Sequence, residues 1–350
     1  MRVLACLILL FCAACAGGPK APAPPLSAVS LTDSEIDGAP LALSQWQADA
    51  PKAVILALHG FGDYAPSTFA KAAPYWAKRG FTVYAYDQRG HGRNADNRVW
   101  PGADTLIADA AAITKAVRAL HPGLPLYLLG HSMGGGVALA AANAGADIDG
   151  LILAAPAVWG GKEIALPYRA AAWAGALVLP DKRWTGEGVV TIQASDNIPV
   201  LRRMGRDPLV IGAPSSREFM GLIRIMDRAV KTAPRVTHPT LVLYGEKDEV
   251  TPPAPVDAAF EIQFLVHISN VLWGPCCDLG KCCHAKIVKL ADDNRTNTTD
   301  ARQIVSAVSF RSSLLRRGFF WCSFFFRCSG FFGFCRCSFC FKRYNRGICF

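Results

Sequence analysis

The sequence predicts an α/β fold: a mostly parallel central sheet with helices on both faces, and a helical cap inserted after the strand that follows the helix at residues 133–142. Short apolar runs alternate with longer amphipathic segments, which is typical of buried parallel strands and the helices that connect them. The chain has 350 residues, 51% of them hydrophobic and 18% charged. This composition can bury a large core and excludes a disordered chain.

The elements follow one another between residues 41 and 244. The predicted strands are Leu41–Trp46, Ala53–Leu58, Phe81–Tyr86 and residues 124–129, 151–154 and 240–244. The predicted helices are residues 67–79, interrupted by Pro74, then residues 104–120, with an Asp at the N-terminal edge, and residues 133–142. Functional sites in such sheets lie at the carboxyl ends of the strands, so chemistry is expected just after each apolar run.

The first candidate site follows the apolar run at residues 124–129. Residues 130–134 read Gly-His-Ser-Met-Gly, which matches G-x-S-x-G between a strand and a helix. A tight turn of this kind exposes the hydroxyl of Ser132, and the helix behind it presents free N–H groups. The pattern predicts that Ser132 is a nucleophile, against the alternative of a glycine-rich turn used only for packing.

Two further loops follow strands of the same predicted sheet. Residues 59–63, His-Gly-Phe-Gly-Asp, can aim the backbone N–H of Phe61 at the same point as the N–H of Met133, and two such donors form an oxyanion hole. After residues 240–244, Asp248 is positioned to orient a protonated histidine. Glu246 and Glu249 compete with it and fit better as solvated loop charges.

These segments, together with the Tyr-Asp-Gln-Arg-Gly-His-Gly turn at residues 86–92, resemble the α/β-hydrolase fold. The resemblance covers about residues 40–260. It is greatest to the branch that contains monoacylglycerol lipases, lysophospholipases and the serine aminopeptidase S33 group. It implies Ser132 as nucleophile, Asp248 as acid, and Phe61 and Met133 as oxyanion donors. His59, His91 and His131 are then structural.

The resemblance also implies a catalytic histidine about 25 to 30 residues after Asp248, and none is found there. Residues 273–278 read Trp-Gly-Pro-Cys-Cys-Asp. His284 is the first choice for the base and His267 the second, although His267 lies within an apolar run. The favoured interpretation is that the true base was lost with the disturbed C-terminus. The alternative function is then a catalytically impaired protein that binds an acyl ligand or a partner.

The segment between residues 154 and 240 is longer than one helix and two turns require. Resemblance implies that about residues 157–235 form the cap. It contains an apolar stretch at residues 164–179 and an amphipathic helix at residues 215–231 with a Ser cap. The apolar faces of these helices are expected to line a slot for an acyl chain. The alternative is that residues 170–177 only pack on the sheet.

The N-terminus predicts export. Residues 1–15 combine Arg2, a short apolar run and Cys12-Ala-Ala-Cys15, which resembles the lipobox of bacterial lipoproteins and makes Cys15 the lipidation site. An ordinary signal peptide is the alternative. Residues 16–37 are interpreted as a linker that begins with a Pro/Ala/Gly run. The hydrolase domain is assigned to residues 38–262.

Residues 263–350 are an atypical tail rich in Cys, Phe and Arg. Ten of the 13 cysteines lie from Cys276 onward, and the net charge is +9 in the tail against +1 before it. The basic charge therefore belongs to the tail, and nucleic-acid binding loses its support. Adjacent cysteine pairs do not match zinc-ligand spacing, and no polar face suggests a membrane-lying helix. A frame-shifted translation is the favoured interpretation.

The sequence as a whole predicts a serine hydrolase of carboxylic esters of monoacylglycerol or lysophospholipid type. No metal or organic cofactor and no nucleic-acid partner are expected. The substrate would be a small acyl ester. The predicted location is the periplasmic face of a bacterial membrane, reached through export and an N-terminal lipid anchor.

Overall fold

A nine-stranded sheet runs through the described part of the chain. The computed structural model describes residues 30–31, 35–37, 41–160, 164–185, 195, 197–245, 248, 250–251, 253–260 and 285–288. The strands are β1 (Ser30–Leu31), β2 (Glu35–Asp37), β3 (Leu41–Trp46), β4 (Ala53–Leu58), β5 (Phe81–Tyr86), β6 (Leu126–His131), β7 (Gly150–Ala154), β8 (Thr240–Leu243) and β9 (Ala285–Val288).

The strand order is β1-β2-β3-β5-β4-β6-β7-β8-β9. The five central strands, β5-β4-β6-β7-β8, are parallel to one another, whereas β1, β2, β3 and β9 pair antiparallel at the two edges. Every residue of β4, β5 and β7 is buried, as required of strands covered on both faces. The predicted mostly parallel α/β fold is confirmed.

Helices cover both faces of the sheet. They are α1 (Ala65–Phe69), α2 (Ala73–Ala77), α3 (Ala103–Leu120), α4 (Met133–Asn143), α5 (Leu166–Val178), α6 (Ile198–Met204), α7 (Ser216–Thr232) and α8 (Pro253–Phe260). One buried cluster contains Ile113 of α3 and Val137 of α4, and the other contains Phe69 of α1 and Trp76 of α2. The alternation of β4 side chains divides between these two clusters, because successive residues of a strand face opposite sides.

The helix predicted at residues 67–79 is interrupted at Pro74 as expected. It forms two short helices, α1 and α2, and Pro74 lies in the first turn of α2. Proline lacks the N–H that a helix interior needs but fits the first turn, so the chain begins a new helix there. Helix α3 has Gly102 rather than Asp104 at its N-cap, with Asp104 in the first turn.

The edges of the sheet extend beyond the segments assigned to the hydrolase domain. Strands β1 and β2 lie within residues 16–37, which we interpreted as a linker, and β2 pairs with β3. Strand β9 lies beyond residue 262 and pairs antiparallel with β8, with Ala285 opposite Leu243. Short segments outside the assigned domain thus pair with the edges of β3 and β8.

Several predictions fall outside the described residues. These are the signal peptide with Cys15, the two candidate bases His267 and His284, the acids Glu246 and Glu249, and the cysteine-rich tail apart from residues 285–288. Among the helices that the structure describes, none combines the length and the apolar character needed to span a bilayer.

Candidate active site

Ser132 lies at the turn between β6 and α4. Its backbone angles are φ 51° and ψ −116°, a left-handed conformation that only three non-glycine residues of the described chain adopt. The turn is held on both sides, because the Ser132 N–H donates to the Ala154 carbonyl at 2.9 Å and the Ala157 N–H donates to the Ser132 carbonyl at 2.9 Å. Ser132 is half-buried, so the turn does not close over it.

The glycines around Ser132 are required by close backbone packing. A Cβ atom on Gly130 would lie 2.4 Å from the Gly134 carbonyl oxygen, and one on Gly134 would lie 2.4 Å from the Leu58 carbonyl oxygen. On Gly135 it would lie 2.9 Å from the Cα of Pro156. Side chains at these positions would push α4 away from the ends of β4 and β7, so the glycine pattern maintains the sharp turn.

The loop after β4 lies against Ser132. A Cβ atom on Gly60 would be 3.3 Å from the Cβ of Ser132. The expected oxyanion donors, Phe61 and Met133, are therefore on two segments that meet at the serine. Neither of their amides donates a hydrogen bond to an acceptor in the described part of the chain. Met133 is buried, and a buried N–H without an acceptor is costly unless a ligand completes it.

Aromatic contacts hold the Phe61 side chain. Its ring lies edge-on to His91, with centroids 5.8 Å apart, and 6.3 Å from the Trp100 ring. His91 donates from Nδ1 to the Arg89 carbonyl at 2.9 Å, and burial lowers the pKa of His91 to about 3. His91 is therefore a neutral packing residue. The Phe61 side chain matters for positioning its backbone, which the sequence alone did not indicate.

His59 has hydrogen bonds at both ring nitrogens. Its Nδ1–H donates to the Gly60 carbonyl at 2.8 Å, and its Nε2 accepts from the Gln88 N–H at 2.8 Å. The Gln88 side-chain amide also donates to the His59 carbonyl. Burial lowers the pKa of His59, so the ring is neutral. These bonds tie the loop after β4 to the loop after β5 and leave His59 without a free nitrogen for proton transfer.

The buried carboxylate of Asp87 holds the loop after β5 in place. The sequence shows this residue only as a member of the turn at residues 86–92. Asp87 accepts hydrogen bonds from the Ala65 N–H and from the backbone and side chain of Arg93. Gly92 is essential beside it, since its φ is +61° and a Cβ there would overlap Asp87 Oδ2 and Tyr64. An aspartate after a buried strand, followed by glycines, was the available signal for this bracing role.

Asp248 lies in the turn after β8. Its Oδ1 accepts from the Val250 N–H at 2.9 Å and from the Thr251 N–H at 2.8 Å. The Thr251 hydroxyl donates to the Ala155 carbonyl at 3.3 Å. Ala155 directly follows Ala154, which accepts the Ser132 N–H, so the acid loop is connected through the end of β7 to the serine turn.

The third nearby imidazole, His131, precedes the serine. Its Nδ1 lies 3.1 Å from where a Cβ on Gly60 would be, and it has no hydrogen-bond partner in the described part of the chain. Burial lowers the pKa of His131, and the charges of Asp63 and Asp248 offset only part of this effect. The ring packs between the serine turn and the loop after β4.

The cap region differs from the expected acyl slot. The apolar face of α7 packs on the core: a Cβ on Gly136 of α4 would lie 2.8 Å from the Ile225 side chain and 3.4 Å from Ala229. Helix α7 therefore packs on α4, and Ile225 and Ala229 of its apolar face do not line a slot. A helix that lines a slot and a helix that packs on the core have the same amphipathic period, so the sequence could not distinguish the two arrangements.

Helix α5 carries the remaining apolar surface of the cap. None of its residues is buried, and Leu166, Trp173 and Val178 are more than half exposed. It is attached to α7 by a bidentate ion pair, in which Arg169 donates to Asp227 at 2.9 and 2.7 Å.

No group of three or more His, Cys, Asp or Glu side chains within the described ranges could hold a metal ion. Both candidate bases lie outside those ranges. Strand β9 begins at Ala285, the residue after His284 in the sequence, and Ala285 pairs with Leu243 at the carboxyl end of β8.

Comparisons with known proteins agree with this architecture. The family model described as serine aminopeptidase, S33, matches residues 49–264. The chain is 30% identical to a monoacylglycerol lipase of Mycolicibacterium smegmatis, over 65% of this chain and 83% of that protein. It is 30% identical to the Homo sapiens monoglyceride lipase, over 61% and 71% respectively.

A solved structure shows the same fold. The crystal structure of the Paleococcus ferrophilus monoacylglycerol lipase superimposes with a TM-score of 0.54 and 26% identity, and covers 63% of this chain and 83% of that chain. The parallel sheet and the strand–serine–helix turn define an α/β-hydrolase. Within that class, the chain belongs to the serine aminopeptidase S33 family.

Proposed function

We propose that this protein is a serine hydrolase of carboxylic esters, of monoacylglycerol or lysophospholipid type. The observation that carries the proposal is the left-handed Ser132 turn beside Gly60, with the Phe61 and Met133 amides lacking acceptors in the described chain. Relatives named monoacylglycerol lipase and monoglyceride lipase support this substrate class.

In the proposed reaction Ser132 Oγ attacks the ester carbonyl carbon and loses its proton to a histidine base. The carbonyl oxygen becomes an oxyanion, which accepts hydrogen bonds from the Phe61 and Met133 amides. The C–O bond to the alcohol then breaks, and the alcohol takes up the proton from the histidine. Water attacks the acyl-enzyme by the same route and releases the carboxylic acid and free Ser132.

Asp248 would orient the base and stabilise its protonated form. Two backbone N–H groups already hold its Oδ1, which fixes the carboxylate. Its Oδ2 has no hydrogen bond in the described part of the chain and could accept one from an imidazole N–H. His284 is the first candidate base and His267 the second. The pairing of Ala285 with Leu243 supports His284, because Asp248 follows the same end of β8.

Hydrolysis of a short-chain p-nitrophenyl ester tests the proposal. Ser132→Ala and Asp248→Asn are expected to lower kcat by about 10⁴-fold or more, since triad members act as a unit. His284→Ala should do the same, and His267→Ala should not. Turnover that survives Ser132→Ala would refute the assignment of the nucleophile.

The second candidate function is a catalytically impaired member of the family that binds an acyl ligand. The support for it is the sequence Trp-Gly-Pro-Cys-Cys-Asp at residues 273–278, which has no histidine where the family resemblance expects the base. Turnover no faster than buffer, with poor labelling of Ser132 by a fluorophosphonate, is the outcome that this alternative predicts.

Export and lipid anchoring through Cys15 complete the proposal. The support is the residue pattern of the first fifteen residues. Metabolic labelling with a fatty-acid analogue should mark the full chain in the membrane fraction, and Cys15→Ala should abolish that label. An unlabelled wild-type chain would exclude the anchor.

A further inference from the structure

An open cavity of about 710 Å³ lies at the end of α6, lined by Pro199, Arg202, Arg203, Arg206, Asp207 and Pro208. It adjoins the loop that carries Phe61. The Tyr64 hydroxyl donates to Asp207 Oδ2 at 2.7 Å, and the Ile211 N–H donates to the Gly62 carbonyl at 2.8 Å. The cavity and the loop beside Ser132 are therefore joined by direct hydrogen bonds.

Three guanidinium groups line this cavity, and none has a carboxylate partner among the residues that the structure describes. Arg202, Arg203 and Arg206 are exposed and form no ion pair in the described part of the chain. Asp207, the acid in the lining, already accepts hydrogen bonds at both oxygens, from Tyr64 and from the Leu209 N–H. The cavity therefore has an excess of positive charge.

Most other arginines described between residues 169 and 228 have carboxylate partners. These are Arg169, Arg183, Arg217 and Arg228. Like charges at helical spacing, such as Arg202 and Arg206, repel each other and weaken a helix. A concave arrangement of three of them suits an anion with several oxygens, because guanidinium groups bind phosphate through paired N–H donors.

We propose that this arginine cavity binds the phosphate of the substrate's head group, so that the preferred esters are lysophospholipids with a phosphate monoester. The inference rests on the proposed ester hydrolysis. Binding of the carboxylate product does not account for the positive charge of the cavity, because the product carboxylate forms beside the oxyanion donors. The acyl chain does not explain it either, because guanidinium groups disfavour apolar ligands.

The experiment compares 1-octanoyl-glycerol 3-phosphate with 1-octanoylglycerol, both as monomers in solution, on the full chain. The measured quantity is the ratio of their kcat/KM values. The triple variant Arg202→Gln, Arg203→Gln, Arg206→Gln should lower this ratio at least tenfold, mainly through KM for the phosphate ester. The matched control Arg224→Gln, Lys231→Gln, Arg235→Gln removes the same charge from exposed positions elsewhere and should leave the ratio within twofold.

A binding measurement separates this inference from the hydrolysis itself. Titration of Ser132→Ala with glycerol 3-phosphate should show binding that the arginine triple variant loses at least tenfold. Inorganic phosphate should compete but bind more weakly, because it lacks the glycerol. If no ester is cleaved but glycerol 3-phosphate still binds, the hydrolase proposal fails and the phosphate site stands.

Three results would overturn the inference: an unchanged ratio, an equal fall in both triple variants, or arginine-dependent binding to anionic phospholipid vesicles with none to glycerol 3-phosphate. The last would assign the arginines to a membrane surface instead of a substrate.

Discussion

At the scale of single residues, glycine determines how closely the segments of the site approach one another. The serine turn, the end of β4 and the loop after β7 meet at backbone distances that leave no room for a Cβ at Gly130 or Gly134. The G-x-S-x-G pattern could be predicted to form this turn, because glycines are required where the backbone segments pack so closely. The contacts of Gln88 with His59 and of Trp100 with Phe61 could not be predicted, since they join residues far apart in sequence.

We expect Gly134→Ala to destabilise the fold. Its Cβ would lie 2.4 Å from the Leu58 carbonyl oxygen and 2.6 Å from that of His59. Relief requires backbone movement, with a cost of about 3 kcal/mol. Thermal unfolding measures the effect, and Gly212→Ala is the control because a Cβ there meets nothing within 4 Å. Equal melting temperatures for the two variants would contradict the packing argument.

The buried imidazole of His91 predicts a pH dependence of stability. Its pKa is about 3 in the fold and about 6.5 in the unfolded chain. Between these pH values the imidazole is protonated in the unfolded state and neutral in the folded state. The free energy of unfolding therefore falls as the pH falls below 6.5. From pH 7.5 to 5.0 this residue removes about 2 kcal/mol.

Urea unfolding of wild type and His91→Asn at pH 7.5 and 5.0 measures this contribution. The asparagine amide can keep the hydrogen bond to the Arg89 carbonyl but does not titrate. The loss between the two pH values should be smaller in the variant by about 2 kcal/mol. Parallel pH profiles in the two proteins would rule out His91 as the source.

At the scale of elements, α7 has the best-defined beginning in the described chain. The Ser215 side chain accepts from the Glu218 N–H at 3.2 Å, and the Glu218 side chain accepts from the Ser215 N–H at 2.6 Å. This capping box fixes where the helix starts. The Ser cap was predictable because its signal is local.

Removal of this cap should weaken α7. Ser215→Ala leaves the Glu218 N–H without its acceptor and should cost about 1 kcal/mol. The matched control is Ser67→Ala in α1, because Ser67 makes no side-chain hydrogen bond in the described chain. Chemical unfolding of both variants gives the comparison. A control that loses as much as Ser215→Ala would refute the role of the cap.

The element that the apolar face of α7 packs against could not be predicted from the local sequence. Ile225 and Ala229 pack on α4 through the space left by Gly136. The amphipathic helix predicted at residues 215–231 is confirmed. Its hydrophobic periodicity indicates only that one face is apolar. What covers that face depends on the small residues of α4, almost 90 positions earlier in the chain.

At the scale of the whole molecule, the sheet is completed by strands from both ends of the chain. The inner strands were predictable because each is a continuous apolar run. Strands β1, β2 and β9 lack that signal, and their pairing depends on which edges the rest of the sheet leaves open.

The pairing of β9 can be tested through its backbone. Ile287 lies opposite Leu241, and Ile287→Pro should disrupt the ladder because proline cannot donate to it. Hydrogen exchange at Leu241 and Val242 should accelerate at least tenfold. Ile287→Val keeps the N–H and should exchange like the wild type. Unchanged exchange in the proline variant would show that β8 does not depend on β9.

The strand order also has a consequence for synthesis of the chain on the ribosome. Strand β4 emerges early and can pair with β5 soon afterwards, but its other neighbour, β6, ends only at residue 131. At about 5–20 residues per second, one side of β4 stays open for roughly four to fifteen seconds. During that interval the nascent polypeptide presents an apolar strand edge, which makes this the stage at which chaperones would have most to protect.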